Sequence, residues 1–421
     1  YGTIGVASSA NAPGAREYPL ALIDSSGKAW IFGGYGYDSA RNSGYLNDLW
    51  KYNPASHEWT WVSGSSSTNQ RGSYGVRGVA APTNIPGGRT GSLAWFDANG
   101  ALWVFGGRGV DASGGAGYLN DLWKLSPTTL EWTWVSGDDA ASQPGTYGTQ
   151  GTASPSNLPG GRYGAVSWLD ASGRIWIFGG WGLDSGGMAS DLNDLWSFDP
   201  TTGEWTWVSG NDLIDQPGVY GTKGTPATDN LPGARDTSVC WLDAAGMLWL
   251  FGGGGRDSSG YLGLLNDLWR YNPVTLQWTW MSGSNLVNQI GVFGTQGTAS
   301  SSNIPGGNCG GRSWLDSSGR FWLFGGRGYD AVGTVGALND LWRFDPTTLE
   351  WTWVFGNKTA DQPGNFGAKG KRFLTNVPGG REYTASFQDS SGRLWIFGGK
   401  GYDSIGSMNY LNDLWEYKRQ N

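Results

Sequence analysis

Side chains that carry polar catalysis are scarce in this chain. It has one histidine, His57, two cysteines, Cys240 and Cys309, and four methionines in 421 residues. A Ser-His-Asp triad needs an imidazole beside its nucleophile. His57 sits in a turn between two strand-like runs, so no such triad is expected. Cations are also in deficit: Lys plus Arg is 28 against 35 for Asp plus Glu, a net charge of −7, with no basic run. That argues against a nucleic-acid or anionic-membrane partner. No apolar run approaches the roughly 20 residues of a membrane helix. Helical periodicity is absent. The chain opens on Tyr1 with no signal-like apolar segment, which reads as a processed or trimmed chain.

Glycine (73 residues) and tryptophan (27) are abundant instead. Glycine at this level suggests low complexity, but here it recurs at fixed offsets. The Phe before the double glycine is Phe32, Phe105, Phe178, Phe251, Phe324 and Phe397, each 73 residues after the last. The Asn of NDLW (Asn47, Asn120, Asn193, Asn266, Asn339, Asn412) and the Pro of NxPG (Pro13 to Pro378) keep the same interval. Self-similarity at one period decides the architecture, and units of this length share a core with their neighbours. Cys240 and Cys309 fall at non-equivalent positions, which favours small buried side chains over a disulfide.

Within unit two, RTGSLAWFD (89–97), ALWVFG (101–106), YLNDLWKL (118–125) and EWTWVS (131–136) read as strands. The first and second are apolar and bounded by turn signals; the third and fourth alternate. Residues 107–117 read as a glycine-rich loop and 137–161 as a long polar connection. Four short antiparallel strands repeated six times give an all-β, six-bladed β-propeller. It is expected as one domain over residues 1–421, with blades starting near 16, 89, 162, 235, 308 and 381. Six complete 73-residue units would need 438 residues and the chain has 421, so 17 are wanting. By register Tyr1 matches Phe366, and the deficit corresponds to Leu349 through Asn365, which includes the WTW strand. Blade six should therefore lack its outer strand, leaving residues 410–417 as an edge that a donated segment or a second subunit could pair.

The pattern R-x5-W-x-D, LWxFGG, LNDLWxYxP and WTW resembles the kelch repeat over essentially the whole chain, and is similar to a bacterial, surface-exposed branch of that family. The resemblance implies a six-bladed kelch propeller. Galactose oxidase, a bacterial sialic-acid mutarotase and many pure binding domains share this fold, so it does not choose a function. A galactose-oxidase-like copper site, with two histidines, tyrosines and a Cys–Tyr link, cannot be built from one histidine. No cofactor and no redox metal are expected.

Of the 27 tryptophans, 26 recur at strand positions and read as packing between blades. Trp181 alone is off-register. It follows the double glycine, where other units carry Tyr35, Arg108, Gly254, Arg327 and Lys400. The repeated aspartates of NDLW (Asp48, Asp121, Asp194, Asp267, Asp340, Asp413) and of FGGxGxD (Asp38, Asp111, Asp184, Asp257, Asp330, Asp403) read first as turn caps. A Ca²⁺ role stays open, although no unit has the spaced carboxylate series that Ca²⁺ prefers.

Long loops on a rigid scaffold tend to carry function. The glycine-rich loop and the long connection emerge on one face, which becomes the candidate ligand face. Arg16, Arg89, Arg162, Arg235 and Arg381 begin the innermost strands there, with Asn308 and a nearby Arg312 in unit five. They either tie carbonyls or an Asp at the channel mouth or bind an anion or sugar. The residues just after them vary most: Glu17, Tyr18, Tyr163, Asp236, Cys309, Glu382 and Tyr383. Candidate ligand contacts are thus the arginines with Tyr18, Tyr383, Tyr35, Arg108, Trp181, Arg327 and Lys400. The favoured function is a non-catalytic binding module of a secreted or cell-surface protein recognising glycan or protein, located outside the cell or in the periplasm. Two alternatives stand: a mutarotase- or hydrolase-like sugar enzyme using Glu17 and Glu382, and a structural subunit linked by strand addition.

Overall fold

A computed structural model describes residues 1–418. Helices are absent among them, and seven antiparallel sheets build six blades, one per sequence unit, with blade one divided between two sheets. Blade three is representative. Arg162–Tyr163 and Val166–Leu169 form the innermost strand, followed outward by Ile175–Leu183, Ala189–Asp199 and Glu204–Ser209. In blade one the second strand is split at the double glycine into Ala29–Phe32 and Tyr35–Tyr37.

The glycine-rich stretch is not a loop. The second and third strands continue past the double glycine as a hairpin, with Trp181 opposite Asp191 and Leu183 opposite Ala189. Gly179 and Gly180 carry positive φ and make a bulge between Phe178 and Gly180. Gly182 lies in the strand because the Arg162 backbone presses against it; a Cβ there would come within 2.5 Å of the Arg162 Cβ. Glycine here answers a close approach, which composition alone does not reveal. The true turn spans only residues 184–188, where Asp184 Oδ1 accepts the amides of Gly186 and Met188. This Asx turn recurs at Asp111 and Asp330.

The long connections are also structured. Those entering blades two, three and five each lay a two-residue strand on the rim, and the one entering blade four makes a single bridge there, Ala227 to Trp278. Ala153–Ser154, from the blade-two connection, pairs with Trp205 and Thr206 of blade three. Tyr147 from the same connection packs on Trp196 and Trp207.

The core lies at the seams between blades. Phe105 of blade two meets Trp205 of blade three at 5.2 Å, and Trp103 meets Phe198 at 6.0 Å. Blade six closes onto blade one in the same way, with Phe397 against Trp59 at 5.4 Å. Indoles fill these gaps because each buries about 150–250 Å² and stays rigid.

Blade six departs as the register indicates. Met408–Tyr417 pairs inward with Leu394–Tyr402 and has no outer partner among the described residues. Asn412 is exposed where Asn120 and Asn193 are buried. The Asp413 side chain is 19 % exposed where Asp121 and Asp194 are at 0 %. Tyr1 occupies its register site, packed on Trp50 and Trp61. The edge therefore lacks a neighbouring strand on its outer side among the described residues, and its Trp415 indole is only half-buried, with Phe366 on it at 4.9 Å. A peptide with the sequence of residues 350–357, EWTWVFGN, is expected to protect the amides of residues 410–417 from hydrogen exchange and to raise the melting temperature. Neither should happen with both tryptophans replaced by threonine. No change with the parent peptide would mean that the three-stranded rim is stable alone.

Candidate functional site

Six residues separated by 73 positions meet at the axis: Tyr18, Gly91, Gly164, Thr237, Gly310 and Tyr383. Each amide donates to the carbonyl of its neighbour, Gly91 to Tyr18, Gly164 to Gly91, Thr237 to Gly164, Gly310 to Thr237, Tyr383 to Gly310 and Tyr18 to Tyr383, at 2.7–3.1 Å. The result is a closed hexagon of hydrogen bonds, one from each blade. All six have positive φ, from 49° at Tyr18 to 68° at Gly164. Glycine adopts this freely, whereas a tyrosine or threonine there is strained by about 1–3 kcal/mol.

That backbone geometry turns the side chains of Tyr18 and Tyr383 into the channel. Their rings lie 4.9 Å apart, and the Arg312 guanidinium sits over Tyr18 at 5.2 Å and donates to the Thr384 carbonyl. The three glycines leave room for them: a Cβ on Gly91 would come 3.0 Å from Tyr18 Cε1, and one on Gly310 would come 2.6 Å from Tyr383 Cε1. The tyrosines thus floor a funnel that opens on the hairpin face.

Strand register arranges the funnel wall in three tiers. The inner tier is Glu17, Thr90, Tyr163, Asp236, Cys309 and Glu382. Opposite these stand Tyr35, Arg108, Trp181, Gly254, Arg327 and Lys400. Opposite the middle tier stand Tyr45, Tyr118, Asp191, Leu264, Ala337 and Tyr410. The outer tier of one blade meets the inner tier of the next: Tyr118 stacks on Tyr163 at 5.9 Å and 7°. Tyr410 reaches Tyr35 at 6.1 Å.

Carboxylates are concentrated on two opposite walls. Burial pushes Glu17 up to about 7, with Glu382 adding to the rise and Lys400 opposing it. Burial also raises Glu382 against the pull of Arg327 and Lys400, and its Oε2 has no hydrogen-bond partner. Across the funnel, burial raises Asp236, and burial with the nearby Asp236 and Asp215 raises Asp191. Cys309, in the inner tier, is buried, and burial pushes its thiol up to about 12.

The arginine ring is the main correction. Arg16, Arg89, Arg162, Arg235 and Arg381 do not face the channel mouth; they are 0–1 % exposed, inside the blades. Each grips the NDLW aspartate of its own blade with two hydrogen bonds. Arg162 Nη1 and Nη2 lie 2.7 Å from the Asp194 oxygens, and Nε and Nη1 also donate to the carbonyls of Gly160 and Gly179. Asp194 further accepts the Tyr147 hydroxyl and the Trp196 indole. The NDLW aspartates therefore hold the blade together rather than cap turns. Four of the five N–H groups of each guanidinium are engaged in this way, and the side chains are buried inside the blades rather than at the channel. Arg312 likewise lies beside the tyrosine floor and not in that ring.

These blades match a family model described as the KLHDC2/KLHL20/DRC7 Kelch-repeats domain over residues 73–284 and again over 153–366. The chain belongs to the kelch-repeat family. Among solved structures, this kelch propeller is similar to one described as "Structure of YjhT", at 16 % identity and a TM-score of 0.55, covering 97 % of this chain and 96 % of that one. No curated protein matches.

The funnel gathers Glu17, Tyr18, Tyr35, Arg108, Trp181, Arg327, Lys400, Glu382 and Tyr383, all flagged by the sequence. Sequence reasoning missed the outer tier, Asp191, Tyr45, Tyr118 and Tyr410. Its signal was the variable residue before LNDLW, which sequence places at the start of the third strand but does not turn toward the channel until the hairpin is seen. A concavity of about 550 Å³ lies away from the axis, at the rim between blades four and five, with Lys223 as its one charged side chain. Among the described residues no cluster of three or more His, Cys, Asp or Glu is arranged to hold a metal ion. Among the described residues no helix is long and apolar enough to cross a membrane.

Proposed function

We propose that this kelch propeller is a non-catalytic binding module that recognises a glycan in the funnel of its hairpin face. The carrying observation is the wall itself. Flat rings of Tyr35, Tyr118, Tyr163, Trp181 and Tyr410 alternate with carboxylates and with Arg108, Arg327 and Lys400 above a closed floor. Aromatic faces suit the apolar face of a sugar ring, and fixed charges beside them orient its hydroxyls and ionic substituents. Polysaccharide is met outside the cell, at its surface or in the periplasm, and the proposal places the protein there. Pairing of the blade-six edge with a donated strand is compatible with this role.

A second reading has one observation in its favour. Glu17 and Glu382 adjoin each other with raised pKa values, and Glu382 Oε2 is unpartnered, as a sugar-processing acid–base pair would require. A glycan array separates the two. Wild-type protein should retain a defined set of sugars, and Trp181→Ala should weaken them about ten-fold or more. Binding that is unaltered by Trp181→Ala would remove the funnel as the site. Turnover of a retained sugar, lost in Glu17→Gln and Glu382→Gln, would replace the binding reading with the enzymatic one.

A further inference from the structure

The two acidic walls of the funnel differ in one respect. Glu17 and Glu382 are answered by Lys400 and Arg327. Asp191 and Asp236, at the seam of blades three and four, have no cation of their own. The two guanidiniums within electrostatic reach are engaged elsewhere: Arg256 bonds Asp215 at 3.1 Å and Arg235 bonds Asp267 at 2.7 Å. Asp191 is 2 % exposed and its Oδ1 has no hydrogen-bond partner. Asp236 has Thr237 Oγ1 at 3.1 Å on Oδ1.

Three features around the pair suit a guest. Trp181 stands directly across the strand from Asp191, and Tyr163 directly across from Trp181. The Trp181 indole makes no ring or cation contact with any described residue, whereas Tyr118 and Tyr163 stack on each other. Opposite Asp236 the middle tier holds Gly254, where four other blades carry Tyr, Arg, Arg and Lys. A Cβ on Gly254 would lie 3.1 Å from Asp236 Oδ1, so even the smallest side chain would crowd the carboxylate. The wall is therefore open above an uncompensated carboxylate pair, beside an unused indole.

A carboxylate pair with an open aromatic face is the chemistry that receives an ammonium group, by charge and by cation–π attraction. We propose that the seam of blades three and four is a seat for the protonated amino group of an amino sugar, so that the glycan bound in the funnel carries free amines. This rests on the glycan reading above and names the substituent that it selects.

Calorimetric titration with a glucosamine tetramer and its fully N-acetylated counterpart tests it. The free-amine tetramer should bind the wild type about ten-fold or more tighter. Asp236→Asn should abolish that preference by weakening the free-amine tetramer about ten-fold more than the acetylated one, and Trp181→Ala should weaken both. Thermal melting of each variant confirms that it is folded. Equal binding of the two tetramers, or a preference that survives Asp236→Asn, overturns the seat and leaves the glycan reading standing. Binding of neither tetramer, with none on the glycan array, overturns both. A lysine tetrapeptide that binds as tightly as the amino sugar, with the same dependence on Asp236, overturns the sugar assignment.

Discussion

Replacing Arg162 by methionine is expected to destabilise the protein by about 3–5 kcal/mol, the usual cost of leaving one partner of a buried ion pair alone. The residue is 1 % exposed and donates to Asp194, Gly160 and Gly179 at once. Methionine keeps the volume but removes every donor. Asp194 would keep the Tyr147 hydroxyl and the Trp196 indole, too little for a buried charge. Chemical denaturation measures the loss. Asn is the informative control, because blade five already carries it. Asn308 Nδ2 bonds the Gly325 carbonyl at 2.8 Å, replacing one of the arginine's contacts. Arg162→Asn should therefore cost less than Arg162→Met. Equal costs would show that the carbonyl contact carries no weight, and a cost below about 1 kcal/mol for methionine would show that the pair does not hold the blade.

The second large effect lies in blade five. Asp340 is buried with neither of its usual partners: Asn308 replaces the arginine, and Phe293 stands where Tyr74, Tyr147 and Tyr220 donate a hydroxyl in other blades. Its remaining side-chain donor is the Trp342 indole at 2.7 Å. Burial pushes the carboxyl up to about 7, with Asp330 adding to the rise. Unfolded, it titrates near 3.9. Its folded pKa is the higher one, so its favourable contribution is whole below about pH 4 and is lost as pH rises through about 7. Asp340→Asn removes this titration. The variant should match the wild type near pH 4 and exceed it by about 2–4 kcal/mol at pH 8, a three-unit shift being worth about 1.4 kcal/mol per unit. Glu17, Asp191 and Asp236 titrate in both proteins, so the difference between the two stability curves isolates Asp340. A difference that does not vary with pH would show that the carboxylate is solvated or paired.

Blade number, strand order and the bare sixth edge were legible because they depend on register, and a 73-residue period fixes register wherever it recurs. The tryptophans were legible because rings of that size have few places to go in a twisted sheet. Two features were not. Glycines 179, 180 and 182 look alike on paper, yet two bend the backbone and one makes way for Arg162. The hairpin thus read as a loop, and Asp191 stayed hidden. The arginine ring misled for a different reason. An Arg at the start of an inner strand suits a channel mouth or an interior pair equally well in one dimension. Its partner Asp lies 32 residues away, and only the fold shows that the two meet.

The hexagon of amide hydrogen bonds at the axis bears on how such a chain can grow or shrink. Every blade gives one donor and takes one acceptor there, so the loop closes at six and nowhere else without stretching each link. Duplicating or deleting a 73-residue unit would break two links and change the radius at which the rest must meet. The two tyrosines on the axis add a second restriction, since their neighbours at Gly91, Gly164 and Gly310 are spaced to admit them. The number of units is therefore coupled to the closure of this ring. Substitution can repaint the funnel wall blade by blade without touching this ring, whereas adding or removing a unit has to open it.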